Sequence, residues 1–418
     1  MSSQATRNFL FTMLCVFLLT ACQGPGTRGE AFEAVDSAGV TIVESARPLW
    51  GKGEGWTLTP EPEVVIGLME GDESYLLNEV RGVRRLSDGR IAVLDAGSHR
   101  VRVYARTGAH LVDLGGEGDG PSEFRTPQFL GLVSDTLFVY EAIGGALTWF
   151  TPDGQLLRTS GGFSQADRVI GTLLMFGYLE DRFGIGTRTG GARYRTLELG
   201  INREPWSIWR FGLDNQGVDS LFSVPGGEVE ILSSDARGTL QRRYVFGKFT
   251  CLAASKNRVY VGPTDEFSIQ VFDKDGRLRR ILRRNEAPHR VSRSDFNRWV
   301  DQTIAKRDAD SDETAEMRQT AGELKVAETM PAFRAIVVDS EENLWVEEWE
   351  GVGLDQGRFS VFRSDGAWLG YVEIPEGLHQ QRGSFTEQLI EIGSDYLLGV
   401  WTDELGVEQV RSYRIEKG

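Results

Sequence analysis

Short stretches in which apolar and polar residues alternate recur along most of this chain. Two of them, 89–108 and 135–154, align residue by residue: each has an apolar strand pattern, a loop, a second strand pattern and a closing turn at glycine. Equivalent positions lie 46 residues apart, as in the pairs Asp95 and Glu141, Tyr104 and Phe150, and Gly108 and Gly154. Such a repeat predicts one supersecondary unit used several times.

The mark of an aromatic residue followed by a turn glycine returns further along the chain. The mark is found at Phe272–Gly276, Phe362–Gly366 and Tyr413–Gly418, and in a looser form at Phe211–Gly217. The 50 glycines of the 418 residues fit many tight turns between short strands. Six copies of about 46 residues, each with four strands, predict an all-β fold, a six-bladed β-propeller.

The ends of the chain suggest how the ring closes. The sixth copy stops at Gly418, directly after its third strand. Glu63–Gly67 resembles the fourth strand His110–Gly115 of the first aligned copy. We therefore expect this N-terminal segment to pair into the last blade, which would protect edge strands that are otherwise exposed.

Two segments of the aligned copies resemble NHL-repeat propellers. Asp95–Arg100 is similar to the D-x-x-N-H-R loop of that superfamily, with Ser98 where Asn is usual, and Gly116–Phe124 is similar to the glycine-rich segment that joins its blades. The chain beyond its N-terminal signal resembles the bacterial six-bladed propeller lipoproteins of this superfamily. The resemblance implies a fold and no activity.

The N-terminus has the features of a bacterial export signal, with Arg7 before the apolar run 9–19. The run ends in Leu-Thr-Ala-Cys at 19–22, which resembles a lipobox, so we expect residues 1–22 to be the signal and lipid to be attached to Cys22. An ordinary signal peptide with an incidental cysteine is the alternative. Gln23 favours the outer membrane by the same resemblance, facing either the periplasm or the cell surface.

The remaining chain divides into a predicted tether, 23–38, and the predicted propeller, 39–418. After loss of Cys15 with the signal and acylation of Cys22, Cys251 has no disulfide partner. It lies in an apolar strand pattern, where a buried side chain is expected.

Three insertions interrupt the repeat, near 188–204, 226–242 and 291–330. They fall in second-to-third-strand or blade-to-blade loops, which emerge on one face of a propeller, where binding is usual. The third predicts a helix that starts after the capping-box pattern Ser292–Asp295, and a second helix from about Asp312 to Thr329. This insertion is either a lid or partner platform, or a cover for apolar surface.

The candidate ligand-binding residues lie mainly at the ends of second strands and in the first insertion, on that same face. They are Asp95, His99, Glu141, Arg188, Arg193, Asp265, Glu266, Glu347, Trp349, Trp401 and Asp403. Acidic residues in a ring around a channel hold the metal of propeller lactonases and lyases. The four histidines occupy dissimilar repeat positions and no pair has ligand spacing, so we assign no metal site and no cofactor. Ca²⁺ or Zn²⁺ in an acidic ring stays open as the alternative.

Charge limits the class of partner. The formal net charge of −15 argues against nucleic acid. Arginines are dense within 277–290 and form either a patch for an anionic partner or, as we favour, the guarded edge of an outermost strand.

The sequence favours a non-catalytic, lipid-anchored envelope module that binds or scaffolds an envelope protein, a glycan or a small ligand. The alternative is a metal-dependent propeller hydrolase or lyase with an acidic ring at the channel mouth. A purely structural spacer is a third interpretation.

Overall fold

A computed structural model describes residues 31–418 except 162–171, 181, 189–196, 215–216, 236–237, 306–318, 350–356, 376, 380–388 and 404. The predicted signal with Cys22, the first half of the predicted tether (23–30) and Arg193 therefore lie outside the described residues. Within this part of the chain, no helix is long and apolar enough to cross a membrane.

A hairpin opens the described chain. β1 (Phe32–Ser37) and β2 (Val40–Ser45) pair antiparallel through a turn at Ala38 and Gly39, whose φ angles of 54° and 83° are both left-handed. The prediction that 23–38 is entirely a tether is wrong for Phe32–Ser37, because these residues pair along their whole length with β2 and Phe32 packs on the core.

Six antiparallel sheets follow one another along the described chain, after the short strands β3 (Trp56–Leu58) and β4 (Val64–Ile66). Sheet I consists of β5 (Val80–Arg85), β6 (Ile91–Asp95), β7 (Arg100–Tyr104) and β8 (His110–Gly115). Sheet II consists of β9 (Pro127–Val133), β10 (Thr136–Glu141), β11 (Leu147–Phe150) and β12 (Leu156–Ser160).

Sheet III is interrupted by strands that belong to a separate small sheet. In chain order these are β13 (Leu174–Tyr178), β14 (Phe183–Arg188), β15 (Gly200–Arg203), β16 (Trp206–Gly212), β17 (Val218–Val224), β18 (Glu228–Asp235) and β19 (Gly238–Arg243). Sheet III has the order β13-β14-β16-β17, whereas β15, β18 and β19 form the accessory sheet. The first two predicted insertions thus pair with each other, with Ile201 opposite Glu230.

The last three sheets complete the series. Sheet IV consists of β20 (Thr250–Ser255), β21 (Arg258–Pro263), β22 (Ser268–Asp273) and β23 (Leu278–Arg284), and sheet V of β24 (Phe333–Val338), β25 (Leu344–Glu348), β26 (Gly357–Phe362) and β27 (Trp368–Ile374). Sheet VI consists of β28 (Leu378–His379), β29 (Ile390–Ile392), β30 (Tyr396–Thr402) and β31 (Glu408–Lys417).

The sheets are arranged in a propeller-like ring. The innermost strands contact in cyclic order: β5 with β9, β9 with β13, β13 with β20, β20 with β24, β24 with β29, and β29 with β5. One buried apolar cluster fills the space between each pair of neighbouring sheets. Central strands such as β6 are consequently buried at every residue, because both of their faces meet another sheet.

The N-terminal segments cover the outer edges of two sheets. β4 pairs antiparallel with β31, with Ile66 opposite Val410, which is the pairing expected for Glu63–Gly67. β2 pairs parallel with β23, with Ile42 opposite Ile281. The interpretation of 277–290 as a guarded outermost edge is therefore wrong, since a strand covers that edge.

The third insertion packs against the accessory sheet and the loop after it. Helix α1 (Arg293–Ala305) begins after Ser292, whose backbone N donates to Asp295 at 2.8 Å. Phe296 lies in an apolar cluster with Val245 and Phe246, so the insertion covers apolar surface. The second predicted helix lies partly outside the described residues. Of its described part, Gln319 and Thr320 are helical, but the helix does not continue to Thr329: a 3-10 turn spans Ala321–Glu323, and Val326 bridges to Val245.

Candidate functional site

The innermost strands surround a cavity of about 420 Å³ at their carboxyl ends. All six sheets contribute to its lining, through Arg84 and Arg85, Leu132, Phe176–Tyr178 with Glu180, Leu252–Lys256, Ile336–Ser340, and Ile390–Ile392 with Tyr396. Its volume lies within the range of about 300–1,000 Å³ that small-molecule sites usually have. The centre of the ring is therefore open at this end to a ligand of limited size.

A half-buried carboxylate, that of Glu391, lies on one side of the cavity. Glu391 Oε1 accepts the backbone N–H of Arg85 at 3.0 Å and the Tyr396 hydroxyl at 2.5 Å, and Glu391 Oε2 lies 3.8 Å from Arg84 Nε. Burial raises the pKa of Glu391, although Arg84 and the Tyr396 hydroxyl oppose the shift. Burial and the neighbouring carboxylate raise the pKa of Tyr396 as well, so it remains a donor.

Two arginines stand beside this carboxylate and differ in how they are held. Arg84 is 6% exposed, and its Nη1 donates to the Val83 carbonyl at 2.7 Å. Arg85 is half-buried, with its guanidinium carbon 4.3 Å from the centre of the Tyr396 ring. The stacked plane of an arginine still allows in-plane hydrogen bonds to a carboxylate or phosphate.

Sheet IV contributes a third cation, from across the ring. Lys256 has a left-handed φ of 46° and follows β20 directly. Its Nζ lies 4.0 Å from Glu342 Oε1, the same oxygen that accepts the Ser255 hydroxyl at 2.6 Å. Tyr178 also lines the cavity, and its hydroxyl donates to the Leu132 carbonyl at 2.7 Å.

The residues predicted from the sequence lie elsewhere. Adjacent strands within each sheet are antiparallel, so the carboxyl ends of second strands lie at the edge away from the cavity. None of the predicted residues lines the described cavity. No hydrogen bond or ion pair of the described residues joins one predicted residue to another.

Several of these side chains stabilise their own loops. Asp95 is fully buried and its Oδ2 lies 2.9 Å from Arg102 Nε. His99 Nδ1 lies 3.1 Å from the Phe124 carbonyl oxygen, with a φ of 54° at His99. Glu141 accepts two backbone N–H groups, those of Arg125 and Thr126.

Others fix turns or connect sheets. Asp403 accepts the backbone N–H groups of Leu405 and Val407, and Asp265 pairs with Arg203 of the accessory sheet at 2.8 Å. The Glu266 carbonyl accepts the backbone N–H of Ser268, and Arg188 is half-buried at the end of β14.

The remaining three predicted residues pack inside. Trp401 is 2% exposed and packs on Tyr413, and Trp349 packs on Phe246 of the insertion cluster. Glu347 is 8% exposed, and burial raises its pKa despite Arg334 at 3.6 Å. The described residues contain no group of three side chains suited to hold a metal ion.

Sequence reasoning missed the cavity because it examined the ends of second strands. The sequence does mark the cavity lining, at the ends of the first strands of the sheets. Polar residues stand at or just after the ends of several first strands, in Arg84-Arg85, Ser255-Lys256 and Asp339-Ser340. Comparing these positions across the copies would have located the lining.

The chain matches no family model and no curated protein. Among solved structures it is similar to a DUF4221 family member from Bacteroides vulgatus, at 12% identity and a TM-score of 0.49, over 87% of this chain and 99% of that one. It is also similar to virginiamycin B lyase from Staphylococcus aureus, at 10% identity and a TM-score of 0.41, over 86% and 99% of the two chains.

A third similar structure is regucalcin, a calcium-binding protein from Agrobacterium tumefaciens, at 12% identity and a TM-score of 0.38, over 83% of this chain and 93% of that one. At these identities and scores none of the likenesses carries an argument about activity. The description of the fold rests on the sheet pairing and the ring of contacts.

Proposed function

We propose that this protein is a lipid-anchored envelope protein that binds a small ligand, without catalysis, at the centre of a six-bladed β-propeller. The observation that carries the proposal is the cavity of about 420 Å³ to which all six sheets contribute. A cavity of this size admits a metabolite and excludes a folded protein. A glycan or an envelope protein would have to use another surface.

The blade count is supported by the repeat and the packing together. Six sheets contact in a closed cycle, and β4 completes the sheet that contains β31. The segment that carries α1 is then an insertion between blades four and five. The NHL-like segment 95–100 forms a turn of this architecture, in which Ser98 Oγ donates to Asp95.

The residues around the cavity favour binding over catalysis. Of the histidines whose side chains the structure describes, none lines it: His99 and His110 are bonded to Phe124 and Asp113, and His289 lies outside the lining. The acidic residues proposed for a metal ring are not assembled in the described part of the chain. The side chains of Asp95, Glu141 and Asp403 instead accept hydrogen bonds from nearby backbone and side-chain groups.

Envelope location rests on the sequence alone. The export signal and the lipobox-like residues 19–22 place acylation at Cys22. Cys22→Ser should shift the full-length protein from the membrane fraction to the soluble periplasmic fraction, whereas Cys15→Ser should leave it membrane-bound. A membrane-bound Cys22→Ser protein would contradict the anchor.

Binding is tested with full-length protein in mild detergent, by thermal melting against sugars, amino acids, organic anions, organic cations and Ca²⁺ with and without chelator. A ligand at 100 times its Kd stabilises by about 2.7 kcal/mol. Ser340→Trp places a large side chain at an exposed position of the cavity lining, and Ser364→Trp makes the same change in an exposed turn outside it.

We expect at least one organic compound to stabilise the wild type and Ser364→Trp, and to have no effect on Ser340→Trp. Equal stabilisation of both variants, or no stabilisation by any compound, would contradict binding in the cavity. Stabilisation by Ca²⁺ that chelator reverses and Asp403→Ala abolishes would instead support the metal-dependent enzyme.

A further inference from the structure

We infer that the ligand is a small organic anion, whose carboxylate or phosphate group is held beside Arg85 and whose body lies on the apolar wall of the cavity. This inference rests on the proposed function, since it concerns the same cavity. Its basis is the unengaged guanidinium of Arg85, beside carboxylates of the lining that already accept hydrogen bonds.

Arg85 is the cation of the lining whose guanidinium N–H donors are unused. Its backbone N–H is bonded to Glu391, and its guanidinium stacks on Tyr396, but no hydrogen bond or ion pair of the described residues engages the guanidinium nitrogens. Guanidinium presents its N–H groups in a fork that matches two oxygens of a carboxylate or phosphate. Stacking leaves this fork in place and restricts its orientation.

The other two cations of the lining, Arg84 and Lys256, add positive potential to the cavity, and neither forms a close ion pair. Arg84 is separated from Glu391 Oε2 by 3.8 Å, and Lys256 is separated from Glu342 by 4.0 Å, which are both long for ion pairs. Charges in a partly enclosed cavity are screened less than charges on the surface. A cationic ligand would therefore meet three like charges.

The carboxylates of the lining are mostly engaged. Asp339 accepts bonds from the Asn343 amide and the Trp345 indole, each at 2.9 Å, and is 2% exposed. Glu391 accepts two hydrogen bonds, and its Oε2 faces Arg84 Nε at 3.8 Å. Only Glu180 is an exposed carboxylate in the lining. The lining holds three cations and three carboxylates, so the preference for an anion rests on Arg85, whose guanidinium no described residue pairs with, and not on net charge.

Apolar side chains form much of the rest of the cavity wall, and they favour a ligand with an apolar body. Leu132, Leu252, Ile336, Ile390 and Ile392 are among the lining residues. Such a surface gains free energy when it is covered by an apolar body rather than by water. A small aromatic or aliphatic acid fits both halves of the site, whereas a free sugar fits neither.

The test uses four probes that share a phenyl ring and differ in the charge of the attached group: benzoate, phenyl phosphate, neutral benzamide and cationic benzylammonium. Binding to full-length protein in detergent is measured by calorimetry. We expect one or both anions to bind, and benzamide and benzylammonium to bind at least tenfold more weakly. Preference for benzoate or for phenyl phosphate identifies the carboxylate or the phosphate as the group recognised.

Arg85→Gln should weaken binding of the preferred anion by about 10- to 100-fold, because a hydrogen bond to a charged group is lost. Arg85→Lys should retain part of the affinity. Arg81→Gln, a change on the same strand but outside the lining, should bind as the wild type does. Melting temperatures of the variants show that each is folded.

The inference is overturned if benzamide binds as tightly as benzoate, if Arg85→Gln binds like the wild type, or if neither anion binds. A neutral or cationic compound that stabilises the wild type and not Ser340→Trp would overturn the inference and leave the proposed function standing. An anion that binds equally to Ser340→Trp lies outside the cavity and overturns both.

Discussion

Asp95 separates a ligand-binding interpretation from a structural one. The sequence places it in a candidate ring, but in the structure its carboxylate accepts Arg102 Nε at 2.9 Å, Ser98 Oγ at 2.7 Å and the Asn78 backbone N–H at 3.1 Å. The side chains of Arg102 and Asp95 are 2% and 0% exposed. Asp95→Ala therefore leaves a buried guanidinium without its closest counter-charge.

The magnitude follows from what remains around Arg102. Removal of one partner of a buried ion pair costs about 3–5 kcal/mol. Arg102 Nη1 keeps the Glu73 carbonyl at 2.8 Å and has Asp113 at 3.9 Å, so we expect the lower end, about 3 kcal/mol. With an unfolding entropy of about 2.1 cal/mol/K per residue, over Ala31–Gly418, this lowers the melting temperature by about 4 °C.

The assay is thermal melting of the full-length protein, followed by tryptophan fluorescence. Asp95→Leu combined with Arg102→Met should recover most of the loss, because an apolar pair replaces the charged one. Asp403→Ala, which removes only an exposed turn cap, should cost less than Asp95→Ala. An Asp95→Ala protein that melts with the wild type but loses ligand would refute the structural interpretation.

Three further outcomes test other parts of the fold. Burial raises the pKa of Glu347 above its ordinary value of 4.5, so the folded state holds this proton more tightly than the unfolded state does. As the pH rises above 4.5, melting curves should show the wild type losing stability relative to Glu347→Gln. Gly67→Ala and Gly53→Ala each force a side chain into left-handed φ, at about 1–2 kcal/mol. In urea unfolding, Gly67→Ala should be the more destabilising of the two, because only there would the added Cβ clash with the Glu408 carbonyl oxygen. Cys251 is buried and its thiol pKa is raised, so mass spectrometry should find it alkylated in the unfolded protein and unmodified in the native one.

Much of the architecture was predictable because repeated turns leave a strong mark. Gly108 and Gly154 both have left-handed φ angles, 85° and 94°, and both close a hairpin 46 residues apart. The pairing of Glu63–Gly67 was accessible for the same reason, since the segment copies a fourth strand. The parallel pairing of β2 with β23 left no such mark, because β2 belongs to no repeat copy.

The candidate site was less predictable because a polar residue at a loop gives no sign of its partner. Asp95 and Glu141 occupy equivalent positions, yet one pairs with a buried arginine and the other accepts two backbone N–H groups. Both uses satisfy local donors and leave little for a ligand. Distances across the ring, which decide what faces the cavity, depend on how six separate sheets meet.

The charges at the centre of the ring are not explained by stability. Removing Arg84 and Glu391 from water costs desolvation free energy. Their attraction across 3.8 Å offsets only part of that cost. Apolar side chains of similar volume at these positions would continue the clusters between sheets I and VI without that cost. Arg84 adds positive potential to a site for an anion, and a fixed charge that is already desolvated needs little rearrangement when a ligand arrives. On this argument Glu391 is a positioning residue: it holds the backbone of Arg85 and the Tyr396 ring on which the guanidinium of Arg85 stacks.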